Sequence, residues 1–393
     1  MNLTNEEETR TGDTTGPLSG LTVLDFSQVV QGPLATQILG DLGAEVIKIE
    51  RPEGEWLRNW GILASNHYGE TDSFLAFNRN KYSVTADLQD SETRDRILKL
   101  GARADVVVEN FRPGAMRRLG LDYEDFKAIN PSIVYARSSG WGQTGPYKDW
   151  PGHDMLTQAL SGMMYLTGRA QDPPLSCGAP VVDTAAGLYF ALGILAGVTH
   201  ARSTGFGQLV EIDLLGCAFA VQQQELTVFL NRENGEPLER AGMNIGHVGG
   251  TAPYGIYEGS DGYFAMAMFP CIALSKLLEL DWLAQYDSNE KMFEHRDEIY
   301  AKLAEYFREF PRLPMLDKLR AGGVWCSPVL DYAEMEQDEH VQHRAPFWTV
   351  PVADKDGTFR TVGSPFTFSE TPARIYRGVP RLGQDTERFL GAD

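Results

Sequence analysis

Asp183 is the residue whose type and setting suggest chemistry most directly. It follows the apolar segment 178–182 and precedes a long stretch in which Leu188 and Leu192 recur at helical spacing. We therefore predict a helix over residues 183–203, with Asp183 as its N-cap beside several unpaired backbone N–H groups. The carboxylate either only caps the helix or acts as a nucleophile. In the second case the same N–H groups would stabilise oxygen charge that develops on a substrate.

A glycine-rich loop is a second candidate for ligand binding. Residues 138–146 read Ser-Ser-Gly-Trp-Gly-Gln-Thr-Gly-Pro and follow a strand predicted at 133–137. Ligands of α/β sheets bind at the carboxyl ends of strands, so the loop either contributes to a site or is an ordinary turn. The first strand–helix turn, residues 28–33, lacks the GxGxxG pattern, which argues against a nicotinamide or flavin site there.

Alternating strands and helices must position these segments. An apolar strand at 21–26, a helix that opens at Pro33 and a strand at 45–50 form a β-α-β unit. The alternation continues and predicts an α/β fold with a parallel, doubly wound sheet. The further predicted strands are 84–88, 106–110, 133–137 and 208–214, and the further predicted helices include 91–103, 123–129, 215–231, 273–284 and 291–309.

Length and composition indicate several domains. A chain of 393 residues with 42% hydrophobic residues can bury two or three cores. We predict a disordered polar leader at 1–16 and the first part of a large domain at 17–225. A shift to Gly- and Asn-rich sequence marks a small domain at 226–330, and residues 331–393 return to the large domain.

Charge limits the classes of partner. The net charge of −19 argues against a nucleic acid or an anionic membrane as partner. No uninterrupted apolar run approaches the roughly 18 residues of a membrane helix. Only ten of the 35 basic residues are lysine, and an acidic, lysine-poor chain suggests a halophilic source.

Cysteine and histidine usage points to the cytoplasm and gives no metal motif. The four cysteines are scattered without paired spacing, which is typical of free thiols in a cytoplasmic protein. The seven histidines include no HExxH pattern, so we predict no metal site.

Eight segments spread over most of the chain form a distinctive set. They read GLTVLDFSQVVQGPLATQILGDLGAEVIKIERP, FNRNKYSVTADL, ADVVVENFRPGAMRRLGL, GWGQTGP, GHD, GAPVVDTAAG, GILAG and GFGQLVEIDLL. Together they resemble the family III CoA-transferases of the CaiB/BaiF group. The resemblance implies an interlaced homodimer of ring-shaped subunits. Each would have a Rossmann-like large domain built from both chain ends and a smaller inserted α+β domain.

The resemblance also implies a role for Asp183 and a substrate. The acid in this position is the nucleophile of the family, so Asp183 would attack an acyl-CoA thioester to give a mixed anhydride and then an aspartyl-CoA thioester. Coenzyme A and acyl-CoA would be substrates, with no tightly bound cofactor. The acceptor would be a small carboxylic acid, and succinyl-CoA with a dicarboxylate is the pairing we expect.

Further site residues follow from the matching motifs. Gln31 would lie near the reacting carbonyl, and His153 and Asp154 would line the acyl pocket. Arginines suit the phosphates of CoA, although Arg118 could also be a solvated helix charge and Phe111 a core residue. The implied CoA-binding residues are Val29, Val30, Arg51, Asn110, Phe111 and Arg118.

Two other functions compete with the transferase. The related α-methylacyl-CoA racemases would use His153 and Asp183 as two bases. The insert at 54–77 and the sequence GHDMLTQALSG fit transferases better. A non-enzymatic CoA-binding protein would need Asp183 to be only a cap. The sequence departs from the formyl-CoA transferase branch of the family at Ala86 and Gln89. Its Gly249-Gly250 pair only weakly resembles the tandem-glycine loop of that branch. These differences argue against formyl or oxalate substrates.

Overall fold

A computed structural model describes residues 16–352 and 357–391, and these fold as two compact units. The first comprises the described parts of Met1–Thr157, Pro180–Val221 and Ala345–Asp393, and the second comprises Gln158–Ala179 and Gln222–Arg344. Residues 158–179 thus pack with the second unit, although the sequence placed them in the large domain. The domain boundaries at 17–225, 226–330 and 331–393 stay predictions. The predicted leader, apart from Gly16, lies outside the described residues.

Both units contain strands, and the strands within Gln222–Arg344 belong to the second unit. The strands are β1 (Thr22–Asp25), β2 (Glu45–Glu50), β3 (Asn66–His67), β4 (Glu70–Thr71), β5 (Lys81–Thr85), β6 (Val106–Glu109), β7 (Val134–Ser139), β8 (Leu209–Asp213), β9 (Gly255–Gly259), β10 (Gly262–Met266), β11 (Cys326–Pro328), β12 (Phe347–Pro351) and β13 (Thr358–Val362).

The helices differ widely in length. They are α1 (Gln31–Asp41), α2 (Asp72–Phe77), α3 (Ser91–Gly101), α4 (Ala115–Leu119), α5 (Tyr123–Ile129), α6 (Asp154–Leu160), α7 (Val181–Thr204), α8 (Leu214–Val221), α9 (Gln223–Leu230), α10 (Cys271–Leu278), α11 (Asn289–Glu294), α12 (Arg296–Phe307), α13 (Arg312–Ala321), α14 (Tyr332–Gln337), α15 (Glu339–Arg344) and α16 (Thr386–Leu390).

A six-stranded parallel sheet organises the first unit. Its order is β5-β2-β1-β6-β7-β8, and every neighbouring pair is parallel. One face packs on α1 and α7 through residues such as Leu39 and Phe190. The other face packs on α3 and α5 through Ile97 and Phe126. Because both faces are covered, the central strand β6 is a nearly continuous apolar run, Val-Val-Val-Glu. The predicted α/β fold with a parallel sheet is confirmed.

Helix α7 is the longest helix of the described residues, with 24 residues. It ends at Thr204, one residue beyond the predicted end at 203, and Gly205 follows as a left-handed C-cap with a φ of 81°. By length and composition it could cross a membrane, with a mean hydropathy of 1.8 over its most apolar part. Asp183, Thr184 and Thr199 interrupt its apolar residues, so the sequence shows no uninterrupted apolar run of that length. A core helix passes the same test, and α7 packs on α1, β7 and β8.

The second unit has its own sheet and core. Strands β11-β10-β9 form an antiparallel sheet. Helices α10, α12 and α13 cover it, with Tyr257, Phe264 and Phe307 in the core.

The predicted helix 215–231 is two helices, α8 and α9, separated at Gln222. The predicted helix 291–309 is likewise divided at His295 into α11 and α12.

Candidate active site

Asp183 lies in the first turn of α7, and the prediction that it is the N-cap is wrong. The helix starts two residues earlier, at Val181, and Pro180 is the N-cap residue. Proline has no side-chain acceptor for the first N–H groups of the helix, so another part of the chain must supply one.

That acceptor is Asp154, the first residue of α6. Its Oδ2 accepts hydrogen bonds from the backbone N–H of Val182 at 2.7 Å and of Asp183 at 2.9 Å. Asp154 is buried, with 5% of its surface exposed. The structure therefore uses one aspartate to cap the helix, and this leaves the other free. In the described parts of the chain, no hydrogen bond to the Asp183 carboxylate is found.

The electrostatic setting of Asp183 favours its protonated form. Burial and then the nearby negative charge of Asp154 raise the pKa of Asp183 from 3.8 to about 7. Among the described residues no cation compensates for this effect, because burial and Asp154 account for the shift in its pKa. Near neutral pH the group is therefore divided between an ionised carboxylate and a neutral acid, and perturbed pKa values of this kind are frequent at functional sites.

The turn at residues 27–31 lies beside the first turns of α7. Helix α1 starts at Gln31, two residues before the predicted Pro33. Gly187 lies one turn beyond Asp183, and a Cβ there would come within 3.1 Å of the Gln31 carbonyl oxygen. Glycine thus lets the two helices approach closely at the place where the sequence predicted that Asp183 and Gln31 act together. The Gln31 side chain accepts a hydrogen bond from Ser138 Oγ at the end of β7.

The glycine-rich loop after β7 packs against the segment that carries His153 and Asp154. Gly140 and Gly152 lie so close that a Cβ on either would be 2.4 Å from the Cα of the other. Trp141 Nε1 also donates to the Pro151 carbonyl oxygen at 3.1 Å. His153 is exposed, and its Nδ1 accepts a hydrogen bond from Met155 N at 3.3 Å. The loop therefore helps to place Asp154 beneath α7.

A cavity of about 320 Å³ lies at the carboxyl edge of the sheet, where β1, β2, β5 and β6 end. Of the six predicted CoA-binding residues, Arg51 and Phe111 line it. Sequence reasoning did not single out Gln28 and Leu119 as lining residues. Their positions after β1 and β6 were the signal that could have found them.

The other predicted CoA-binding residues lie outside this lining. Asn110 makes two hydrogen bonds of 2.8 Å to the backbone of Gln28, so its amide holds the turn. Val29 and Val30 belong to that turn and are half-buried. Arg118 is exposed on α4. The structure thus groups Arg51 with Phe111 at the cavity, and Asn110 with Val29 and Val30 at the turn.

Comparisons with known proteins agree with one another. The model of the protein family described as "CoA-transferase family III" matches residues 18–386 of the chain. The chain is 33% identical over 386 residues to a succinate–glutarate CoA-transferase of Agrobacterium fabrum, covering 95% of each chain. It is 34% identical over 385 residues to a succinyl-CoA:mesaconate CoA-transferase of Haloarcula marismortui, covering 95% of this chain and 96% of the relative. A crystal structure of a CAIB/BAIF family protein from Brucella suis matches 95% of this chain and 98% of its own, with 32% identity and a TM-score of 0.82.

Proposed function

The chain belongs to CoA-transferase family III, and we propose that it moves CoA from an acyl-CoA thioester to a free carboxylic acid through covalent intermediates on Asp183. One observation carries the proposal. The Asp183 carboxylate has no hydrogen-bond partner among the described residues and a pKa raised to about 7, whereas Asp154 takes over the capping of α7. Asp183 is therefore not needed as a cap and is free to react.

The reaction is a sequence of four acyl exchanges. Asp183 attacks the thioester carbonyl, and CoA thiolate leaves a mixed anhydride behind. The thiolate then attacks the Asp183 carbonyl, which releases the first acid and forms an aspartyl-CoA thioester. The acceptor carboxylate attacks the aspartyl thioester carbonyl, which expels CoA thiolate and forms a second mixed anhydride. The thiolate finally attacks the acceptor carbonyl of that anhydride, which forms the new acyl-CoA and releases the Asp183 carboxylate. Each step exchanges one activated carbonyl for another, so no net proton is consumed.

The cavity beside Arg51 and Phe111 suits the nucleotide end of CoA. An arginine can pair with phosphate oxygens, and an aromatic ring offers a face to adenine. We assign Arg118 to the same ligand because it is exposed on the short helix whose last residue, Leu119, lines the cavity. Val29, Val30 and Gln31 would then face the thioester end, and His153 with Asp154 the acyl group.

We propose succinyl-CoA as donor and a small dicarboxylic acid as acceptor. The relatives from Agrobacterium and Haloarcula carry names of this kind. The racemase alternative, with His153 and Asp183 as bases, is not favoured. The relatives from Agrobacterium and Haloarcula match nearly the whole chain, and both are named as CoA-transferases.

We also propose a cytoplasmic homodimer. Leu188, Tyr189 and Leu192 on α7 are 52%, 42% and 63% exposed, and a second copy of the chain would remove this apolar face from water. The four cysteines are free in the structure, which suits a reducing compartment.

The test is to trap the intermediate. The protein is mixed with succinyl-CoA and treated with hydroxylamine or borohydride, and its mass and peptides are then mapped. We expect a modification at Asp183. Turnover should fall at least about 1000-fold in Asp183→Asn. The matched control is Asp90→Asn, which changes a helix-capping aspartate of α3 on the surface and should keep full activity.

Two results would overturn the proposal. One is undiminished turnover in Asp183→Asn. The other is wild-type protein that forms no adduct but takes up deuterium at the substrate α-carbon in heavy water, which would restore the proton-transfer alternative.

A further inference from the structure

The turn at residues 27–31 contains a residue in an unfavourable conformation. Val29 has a φ of 69°, in the left-handed region that β-branched residues rarely adopt. Nothing in its own side chain favours this conformation, since Val lacks the polar atoms with which Asn or Asp stabilises it locally. Such a residue persists only where its surroundings hold it, and these places are often functional.

Side chains from three segments hold the backbone of this turn. Glu55 Oε2 accepts the Val29 N–H at 2.8 Å, and Lys48 Nζ donates to the Ser27 carbonyl oxygen at 2.8 Å. Asn110 bonds both the N–H and the carbonyl of Gln28. Three consecutive residues of the turn are therefore fixed through their peptide groups, whatever their side chains do.

Lys48 and Glu55 also hold each other. Lys48 Nζ lies 3.1 Å from Glu55 Oε1, and the two residues are fully buried and 96% buried, respectively. Burial opposes the ammonium charge, but Glu55 and Asp25 raise the pKa of Lys48 above its ordinary value. If either side chain swung away, a buried charge would lose its ion-pair partner at 3.1 Å, so the pair is a rigid anchor.

We infer that Lys48 and Glu55 are positioning residues, which hold Val29 in its left-handed conformation so that Val30 and Gln31 face the thioester of a bound acyl-CoA. The inference rests on the proposed function, since it needs acyl transfer to occur beside this turn. Neither residue touches the reacting atoms. They act through the peptide groups of the turn, and a misplacement of about 1 Å is enough to slow an enzymatic step about 100-fold.

The test separates positioning from stability with three variants. Glu55→Ala removes the anchor and leaves Lys48 buried without its partner. The double variant Glu55→Ala/Lys48→Met removes both charges of the pair, and Asp25, which also interacts with Lys48, keeps its ion pair with Lys81 at 3.1 Å. Asp41→Asn is the matched control. Asp41 is a carboxylate of similar burial at the other end of α1, paired with Arg79, and it has no contact with the turn.

The measured quantities are the melting temperature and the rate of Asp183 adduct formation with succinyl-CoA in a single turnover. We expect the double variant to melt near the wild type but to form the adduct roughly 10- to 100-fold more slowly. Asp41→Asn should lose stability and form the adduct at the wild-type rate when it is folded. The double variant keeps the test decisive if Glu55→Ala does not fold.

Contrary results are distinguishable. A double variant that forms the adduct at the wild-type rate overturns the positioning role and leaves the proposed function intact. An equal slowing in Asp41→Asn also overturns it, because the effect would then be general. Wild-type protein without an adduct overturns the proposed function and this inference with it.

Discussion

Two acids of the first unit, the fully buried Asp25 and the half-buried Asp183, have opposite pKa shifts. Asp25 lies beneath the first turn, is fully buried, and pairs with Lys81 at 3.1 Å. Although burial alone would raise it, the charges of Lys81 and Lys48 lower the pKa of Asp25 to about 2. In the part of the chain that the structure describes, Asp183 has no compensating cation, a second acid (Asp154) lies nearby, and the pKa of Asp183 rises to about 7. Compensated charge builds a rigid frame, and uncompensated charge remains available for reaction.

The largest expected effect is a loss of stability when the charge of Asp25 is removed. Asp25→Asn leaves Lys81 and Lys48 without their shared carboxylate, and we expect a loss of about 3 to 5 kcal/mol in the free energy of unfolding. Asp183→Asn removes a carboxylate that has no partner, so it should not lower stability at pH 8. Urea unfolding of both variants measures the contrast. Equal losses in the two variants would show that the two acids do not differ as described.

The next effect is the pH dependence of the wild-type enzyme. In the proposed mechanism only the ionised form of Asp183 attacks the thioester, so kcat/KM should fall about 50-fold between pH 7 and pH 5 if the free enzyme titrates near 7. The folded state binds this proton more tightly than the unfolded chain, whose ordinary value is 3.8. The contribution of Asp183 to stability is therefore present at low pH and lost as the pH rises through about 7. A flat profile from pH 5 to 8 would contradict the shift.

A smaller effect should come from Asp154→Asn. The amide oxygen can still accept the N–H groups of α7, but the negative charge beside Asp183 is gone. We expect the acidic limb of the kcat/KM profile to move to lower pH while the helix keeps its cap. Asp154→Ala serves as the comparison, because it also loses the cap, at about 1 kcal/mol of stability. If the acidic limb stayed in place in both variants, burial alone would account for the pKa.

The smallest effect concerns the surface. With a net charge of −19, repulsion among exposed acids should be screened by salt, so the melting temperature should rise by a few degrees, roughly, in molar salt. Buried pairs are screened much less, so Asp25→Asn should gain as much as the wild type. Equal melting temperatures in dilute and molar salt would remove the proposal of a halophilic source.

Local pattern was enough for much of the fold. The strand at 45–50 was predicted as observed, and the end of α7 at Thr204 was predicted to within one residue, because apolar spacing is a local signal. The strand predicted at 84–88 is instead Lys81–Thr85. Lysine is rarely buried in a strand. Lys81 is buried there because its ammonium group forms an ion pair with Asp25, which lies 56 residues earlier in the chain.

The candidate site shows the same division. Asp183 was recognisable from its neighbours, but its partner Asp154 lies 29 residues earlier, so the true cap of α7 could not be read from the adjacent sequence. The anchor of Val29 was also missed, because Lys48 and Glu55 look like surface charges in a linear sequence. Only a folded chain shows that both are buried and meet beneath the turn.

The sequence by itself therefore determined which residues have reactive groups, roughly where most of the strands and helices run, and which family the chain resembles. All three depend on residue type and on spacing over a few tens of residues. Tertiary structure alone decided which acids are neutralised and which are left uncompensated. That outcome depends on distances between residues far apart in the chain and on exclusion of water, since a carboxylate is stabilised or destabilised by the charges within a few ångströms of it.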